Sequence, residues 1–329
     1  MLNVTLRQLR ALQAIYASGK ISSAAKELGL TAPAVTLQLK QVEEEAGTML
    51  FDRTADGMRP TDAGLAFIEA AQAIGERLRL LQDEVDAIKG IRKGTLRLGV
   101  VSTAKYFAPQ LMAGFMREFP DIDMTLATGN RQETIANLKN HAVDIALMGR
   151  PPKDVPVRAM VFGDHPLVIV ARPDHPLAGV RDISKKRIAQ EHFLIRERGS
   201  GTRVSLEIFL GEIPGRLDNL GTEMGSNETI KQAVMAGLGI AFISAHTVAS
   251  ELETGRLVIL DVVGMPIRRQ WFSISRSDRT KSPAMTVFED FLLDKGAMYL
   301  PLLSTLYPDT AYGKDGTTAP ALQPATRAP

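Results

Sequence analysis

Residues 21–64 read ISSAAKELGLTAPAVTLQLKQVEEEAGTMLFDRTADGMRPTDAG, and no other stretch restricts the fold as tightly. The pattern predicts two short helices around a tight turn, then a small hairpin. Ser22 and Ser23 are the expected caps of the first helix, with Ala24, Ala25 and Leu28 on its buried face. Gly29 ends that helix, because a residue without Cβ accepts the left-handed turn conformation. Thr31 caps the second helix, and Pro33 sits in its first turn, where a missing N–H costs nothing. Val35, Leu39 and Val42 recur at helical spacing and form one apolar stripe. The opposite face carries Ala32, Thr36, Gln38 and Lys40, small, hydrogen-bonding or cationic groups that need no cover. Such a face is free to enter the major groove of DNA. Helix pairs of this kind occur in many helical proteins, and the specificity comes from the hairpin behind them. Leu50 to Thr54, the turn dipeptide Asp56-Gly57 and Met58 to Thr61 make a strand, a turn and a strand. This wing offers Arg53 and Arg59 to phosphates.

Ala24-Ala25, Leu28, Thr31, Pro33-Ala34-Val35-Thr36, Gln38, Glu43, Gly47, Leu50-Phe51, Arg53, Thr61, Ala63 and Gly64 together resemble the N-terminal domain of LysR-type transcriptional regulators. Ala32 stands where that family often has Gln, and Thr36 where it usually has Ser. Both leave the fold intact, and Ala32 leaves open which base is read there. The resemblance implies that Thr31, Ala32, Pro33, Thr36, Gln38 and Lys40 lie nearest the bases of an inverted repeat in double-stranded DNA. It implies further that Arg53 and Thr54 hold the wing to the backbone.

Residues 3–17 read as a first helix, with Leu6, Leu9, Leu12 and Ala14 packed beneath the helix-turn-helix. Thr61 caps a long helix from Asp62 to about Ile88, roughly 40 Å long. Its apolar positions, Leu65, Ile68, Ala71, Ile74, Leu78, Leu81, Val85 and Ile88, settle into a coiled-coil seam. A helix packed on its own domain would share part of this pattern. Glu76, Arg77, Arg79, Gln82, Asp83, Glu84 and Asp86 leave one narrow apolar side, which favours pairing between two copies. Lys89 to Gly94 reads as a basic hinge. Residues 1–61 are nearly balanced, with Arg7, Arg10, Lys20, Lys26, Lys40, Arg53 and Arg59 against Glu27, Glu43, Glu44, Glu45, Asp52 and Asp56. Indiscriminate binding to nucleic acid needs more positive charge; dimerisation on two half-sites would double the contacts.

From Thr95 strands and helices alternate, which predicts an α/β unit with a parallel sheet. The resemblance implies a periplasmic-binding-protein-like effector domain, two α/β subdomains joined by crossings placed near Gly163 and Gly264. The expected organisation is a winged helix-turn-helix over 1–61, and a linker helix and hinge over 62–93. Subdomain 1 takes 94–163 with 264–300, subdomain 2 takes 164–263, and a Pro-rich mobile tail covers 301–329. No apolar run reaches membrane-spanning length, and the N-terminal stretch has helical spacing and not the run of a signal peptide. The absence of cysteine fits a reducing cytoplasm.

No catalytic constellation stands out. His141, His165, His175, His192 and His246 lie in separate segments without metal-ligand spacing, and His165-Pro166 and His175-Pro176 read as loop dipeptides at strand ends. No nucleophile elbow or phosphate-binding loop is present, so no metal, cofactor or enzymatic role is expected. A ligand cleft is better supported, at places where strands end and helices begin. The candidates are Ser102, Thr103, Lys105, Asn130, Arg131, Met148, Arg198, Gly201, Thr202, Ser226 and Asn227. Each is also consistent with a plain helix cap or turn. Arg196 and Arg203 add to the nearby cations, which suggests an effector with more than one negative charge. Residues 99–109, 148–152 and 223–232 resemble the subfamily that regulates Calvin-cycle CO2-fixation operons. That likeness implies an activator, working as a homotetramer with RNA polymerase and sensing a phosphorylated or otherwise anionic metabolite. A LysR-type regulator of another pathway, sensing an aromatic or amino-acid effector, would share every DNA feature. An enzyme or a free solute-binding protein is the remaining class.

Overall fold

The computed structural model describes residues 2–88, 94–215 and 219–301. The expected hinge at 89–93 and the tail from 302 onward lie outside the described residues.

Helix α1 (Leu6–Ser18) opens with a capping box between Thr5 and Gln8. It packs with α2 (Ile21–Leu28), α3 (Ala32–Ala46) and the start of α4 (Asp62–Ile88) around Leu12, Ile15, Ala24, Val35, Val42 and Ile68. Ser22 and Ser23 do not cap α2. The chain turns at Gly19, so Lys20 becomes the N-cap without a side-chain hydrogen bond, and both serines fall inside the first turn. Gly29 ends α2 at φ 65°, and Thr31 caps α3 by accepting from Ala34 N at 3.4 Å. The wing is β1 (Phe51–Thr54) paired antiparallel with β2 (Gly57–Pro60). Glu43 Oε1 accepts from Leu50 N at 2.8 Å and Phe51 N at 3.3 Å, tying the wing to α3. Met58 N donates to Gly19 O at 2.8 Å. A Cβ on Gly57, at φ 130°, would lie 2.4 Å from that carbonyl oxygen, so only glycine fits the turn.

The effector region runs β3 (Gly94–Val101), α5 (Ala108–Glu118), β4 (Ile122–Gly129), α6 (Arg131–Lys139), β5 (Ile145–Met148), β6 (Val157–Ala171), α7 (Lys185–Ile188) and β7 (Phe193–Arg196). It continues with α8 (Gly201–Leu210), β8 (Gly221–Met224), α9 (Asn227–Met235), β9 (Ile240–Ser244), α10 (Ala249–Glu253), β10 (Val258–Ile259), β11 (Ile267–Arg276) and α11 (Pro283–Lys295). One sheet has the order β4-β3-β5-β11-β6-β9-β7-β8, with β10 added on β6. The trios β4-β3-β5 and β9-β7-β8 are parallel, as expected, but β6 and β11 run antiparallel to each other and to their other partners. They are long because each passes through both halves. The sequence places the start of β6 at Leu167; its first ten residues are disguised by Gly163, Asp164 and Pro166, residues that normally interrupt strands. Phe162, Trp271 and Ile274 belong to the first core, with Leu98, Phe115 and Phe288. Leu167 belongs to the second, with Phe193 and Phe209, and Met265 and Ile267 pack there too. The return crossing therefore falls inside β11, between Ile267 and Trp271, and not at Gly264.

Ile68 and Ala71 of α4 are buried in the N-terminal core, whereas Leu65, Ile74, Leu78 and Leu81 are exposed along the expected seam. Farther along, α4 meets the first subdomain through charge. Glu76 and Arg79 interleave with Arg97 of β3, Asp144 ahead of β5, and Arg279. Among the described residues no helix is long and apolar enough to cross a membrane.

Candidate functional site

The C-terminal ends of β3, β5 and β7 and the N-termini of α6 and α8 converge on a cavity of about 270 Å³ between the two effector subdomains. Seven of the eleven sequence candidates line it: Ser102, Thr103, Asn130, Arg131, Met148, Gly201 and Thr202. Asn130 caps α6 by accepting from Glu133 N at 3.0 Å, while the Glu133 carboxylate accepts from Asn130 N at 2.8 Å. That box faces Arg131 into the cavity.

Lys105, Arg198, Ser226 and Asn227 do not line the cavity. Lys105 is drawn to Glu228 of the other subdomain at 3.5 Å and lies over the Tyr106 ring. Arg198 is exposed, because the chain reverses at Gly199 (φ 88°) before the α8 N-terminus. Ser226 is spent on capping α9, accepting from Thr229 N at 3.0 Å. Asn227 is buried behind the wall, where its Oδ1 accepts from Arg196 Nη1 at 2.6 Å. Arg203, which the sequence placed among the nearby cations, pairs with Glu207 and Glu223 instead.

Arg150, Lys153, His165 and Arg269 line the cavity and were not among the candidates. A usable signal existed for Arg269: it alternates with Trp271 on β11, so the two share a face. His165 is not a loop residue. It sits within β6 opposite Arg269, and Pro166 is tolerated because pairing with β9 begins only at Leu167.

The electrostatics of the cavity are one-sided. Arg196 is neutralised by Glu197 and reaches across the cleft to Ser102 Oγ at 3.1 Å. Arg131 donates to the carbonyls of Arg150 and Pro151. Among the described residues neither Arg131, Arg150 nor Arg269 has a carboxylate within ion-pair distance. Burial first, then the charges of Arg150 and Arg269, push the Arg131 guanidinium below its ordinary value. Burial and Arg150 do the same to Arg269, whose Nε has no hydrogen-bond partner. Three mutually repelling cations around a cavity are a site for an anion. Across its mouth Tyr106 Oη donates to Glu228 Oε1 at 2.5 Å, and burial with that bond pushes the phenol up. Among the described residues no group of three or more His, Cys, Asp or Glu side chains could hold a metal ion.

On the N-terminal domain, Pro33, Lys40, Arg53 and Thr54 are exposed, and Ala32, Thr36 and Gln38 are half-buried along the outer side of α3. Thr31 is exposed at its cap. Lys40 pairs loosely with Glu44 at 3.4 Å, Thr36 Oγ1 donates to Ala32 O at 2.9 Å, and Thr54 Oγ1 donates to Gly57 O at 2.9 Å inside the wing turn. Leu37 is 56% exposed on the same helix, an apolar group that sequence reasoning left out of this face.

Residues 6–65 match the family described as bacterial regulatory helix-turn-helix protein, lysR family, and residues 89–297 match the LysR substrate binding domain. The chain is 62% identical over 313 residues to the HTH-type transcriptional regulator CbbR of Rhizobium meliloti (strain 1021), covering 95% of this chain and 100% of that one. It is 44% identical to the RuBisCO operon transcriptional regulator of Allochromatium vinosum, over 90% and 98% of the two chains. Among solved structures it resembles the Synechocystis PCC6803 CcmR regulatory domain in complex with 2-PG, at 35% identity and a TM-score of 0.57, covering 61% of this chain and 97% of that one. With both domains accounted for, the chain belongs to the LysR family of transcriptional regulators.

Proposed function

We propose that this regulator is a cytoplasmic activator of CO2-fixation operons, switched by a small anionic metabolite held between its effector subdomains. One observation carries the reading: Arg131, Arg150 and Arg269 converge on the cavity without a carboxylate among them. The likeness to a RuBisCO operon regulator and to a domain holding 2-PG supports the choice of pathway and ligand class. Thr31, Ala32, Pro33, Thr36, Gln38 and Lys40 read an inverted repeat, and Arg53 and Thr54 hold the wing to phosphates. The seam of Leu65, Ile74, Leu78 and Leu81 pairs two copies, and two dimers form the tetramer. The effector changes the placement of the dimers and so the path of the DNA offered to RNA polymerase. No step in this scheme is catalytic.

The test is a footprint on the promoter of a CO2-fixation operon, with 2-phosphoglycolate, ribulose bisphosphate, phosphoenolpyruvate or NADPH added in turn. The expected result is protection that shortens with one of them, and that ceases to respond in Arg269→Gln. Protection insensitive to all four, but altered by an aromatic or amino acid, would move the chain to another pathway.

A further inference from the structure

Among the described residues that line the cleft, His165 is the side chain whose polar atoms are all buried without a partner once the arginines are assigned to an anion. His165 lines the cavity and is 5% exposed. Its ring lies on Trp271, with centroids 3.8 Å apart and planes 16° from parallel. The neighbouring imidazole of His246 is already used, since its Nδ1 accepts from Trp271 Nε1 at 3.0 Å. Among the described residues neither nitrogen of His165 has a hydrogen-bond partner. A buried imidazole with both nitrogens idle carries an uncompensated desolvation penalty, which a ligand atom in the cavity would remove. Position 149 is glycine because the backbone approaches the ring closely: a Cβ there would lie 2.5 Å from His165 Nδ1. Burial first, then His246 from the turn after β9 and Arg269 from β11, push the His165 imidazole well below its ordinary value, which favours the neutral ring. A neutral imidazole presents one N–H donor and one acceptor.

We propose that His165 is a direct ligand of the effector, donating a ring N–H to an oxygen of the anion held by Arg131, Arg150 and Arg269. The inference rests on the reading of the cavity as an anion site. It adds a contact from the crossing strand β6, opposite Arg269 on β11. Trp271, the sole tryptophan of the chain, lies against the ring and reports the event.

The experiment is titration of the full-length chain with 2-phosphoglycolate, followed by calorimetry and by Trp271 emission, with inorganic phosphate as control. Two variants separate contact from structure. His165→Phe keeps a flat ring against Trp271 and removes both nitrogens; His165→Asn keeps an N–H donor. The expected outcome is at least tenfold weaker binding in His165→Phe, an emission change lost in that variant, partial recovery in His165→Asn, and operator binding retained in both. Binding in His165→Phe within twofold of the parent overturns the role of His165 and leaves the anion site standing. If His165→Phe fails to fold, His165→Leu takes its place: at least tenfold weaker binding supports the role of His165, and binding within twofold of the parent overturns it. Absence of saturable binding by the parent chain to 2-phosphoglycolate, ribulose bisphosphate, phosphoenolpyruvate and NADPH alike overturns both readings.

Discussion

Replacing Asp144 by alanine probes the junction between α4 and the first effector subdomain. The carboxylate accepts from Arg97 N at 2.8 Å, Arg97 Nη2 at 2.6 Å and Arg79 Nη2 at 3.0 Å, and its side chain is 3% exposed. Glu76 is the second acid, 2.7 Å from Arg79, 2.6 Å from Arg97 and 3.7 Å from Arg279. Three guanidinium groups thus share two carboxylates. The substitution strands one backbone N–H and leaves three cations around one anion. Removing one partner of a buried ion pair costs about 3–5 kcal/mol. The Arg79 and Arg97 side chains remain 22% and 26% exposed, so water recovers part of that and the lower end, about 3 kcal/mol, applies. For a domain of this size each kcal/mol lowers Tm by about 2–4 °C, so a drop of about 6–12 °C is expected. The assay is thermal unfolding of the full-length protein at pH 7 and moderate salt, with Glu44→Ala as control. The Lys40–Glu44 pair is 71% and 63% exposed, and its loss should move Tm by no more than about 1 °C. A drop below about 2 °C in Asp144→Ala would refute the reasoning.

Further perturbations probe the DNA face, the seam and the acid response. Gln38→Ala should cost about 1–3 kcal/mol of discrimination among operator sequences, whereas Arg53→Ala should weaken all sequences alike and reduce the salt slope by about 1; unchanged operator affinity in both would mean that α3 presents another face. Leu78→Lys, in the exposed seam, should shift sedimentation from oligomer toward monomer, and an unshifted profile would place the interface elsewhere. Burial alone would raise the Glu76 carboxyl, but the hydrogen bond from Arg79 and the charges of Arg97, Arg79 and Arg279 outweigh it and hold it below the usual carboxylate range. A depressed carboxylate contributes stability above its unfolded value near 4.5 that is lost as pH falls through the folded value. Glu76→Gln should therefore flatten the acid limb of the stability curve below about pH 4.5, measured by denaturant titration.

The N-terminal domain was legible because its signals are local. Gly29, Thr31, Pro33 and the Asp56-Gly57 turn act on their own few residues, and nothing distant overrides them. The exception, the start of α2, was displaced by a neighbouring turn at Gly19. The cleft was legible only where it is made of strand ends, as at Ser102, Thr103, Asn130 and Thr202. His165 and Arg269 meet through the pairing of β6 with β11, and no spacing in the sequence brings two such distant residues together. Lys105 and Arg203 were misplaced for a related reason. Their acidic partners, Glu228 and Glu223, come from other elements, and a cation goes to the nearest carboxylate whatever its neighbours in sequence suggest.

Energies decide where a bound effector can act. Allosteric coupling between sites is typically about 1–3 kcal/mol, and a ligand shifts an equilibrium only by its differential affinity for the two states. The Glu76–Asp144 network matches or exceeds that range, so an effector does not open it. β3 carries Ser102 and Thr103 just past one end, and near its other end carries Arg97 and Thr95, whose carbonyl accepts from Arg79 at 3.3 Å. At about 3.3 Å per residue β3 is roughly 25 Å long, and it is hydrogen-bonded on both sides by β4 and β5, so it does not bend between those ends. The first subdomain and α4 are therefore tied together by charge. The contacts across the cleft are of another order: single hydrogen bonds from Tyr106 to Glu228, Arg196 to Ser102, and Gln132 N to Gly199 O, with the half-exposed Lys105–Glu228 pair at 3.5 Å. Neutral ones are worth about 0.5–1.5 kcal/mol each and charge-assisted ones somewhat more, within what a ligand supplies. Arg196 is the point where the two scales meet, since it lines the cavity and also holds Ser102. An anion that takes over the Arg196 Nη2 donor replaces the Ser102 hydroxyl with its own oxygen. That exchange releases one contact between the subdomains without stranding a charge.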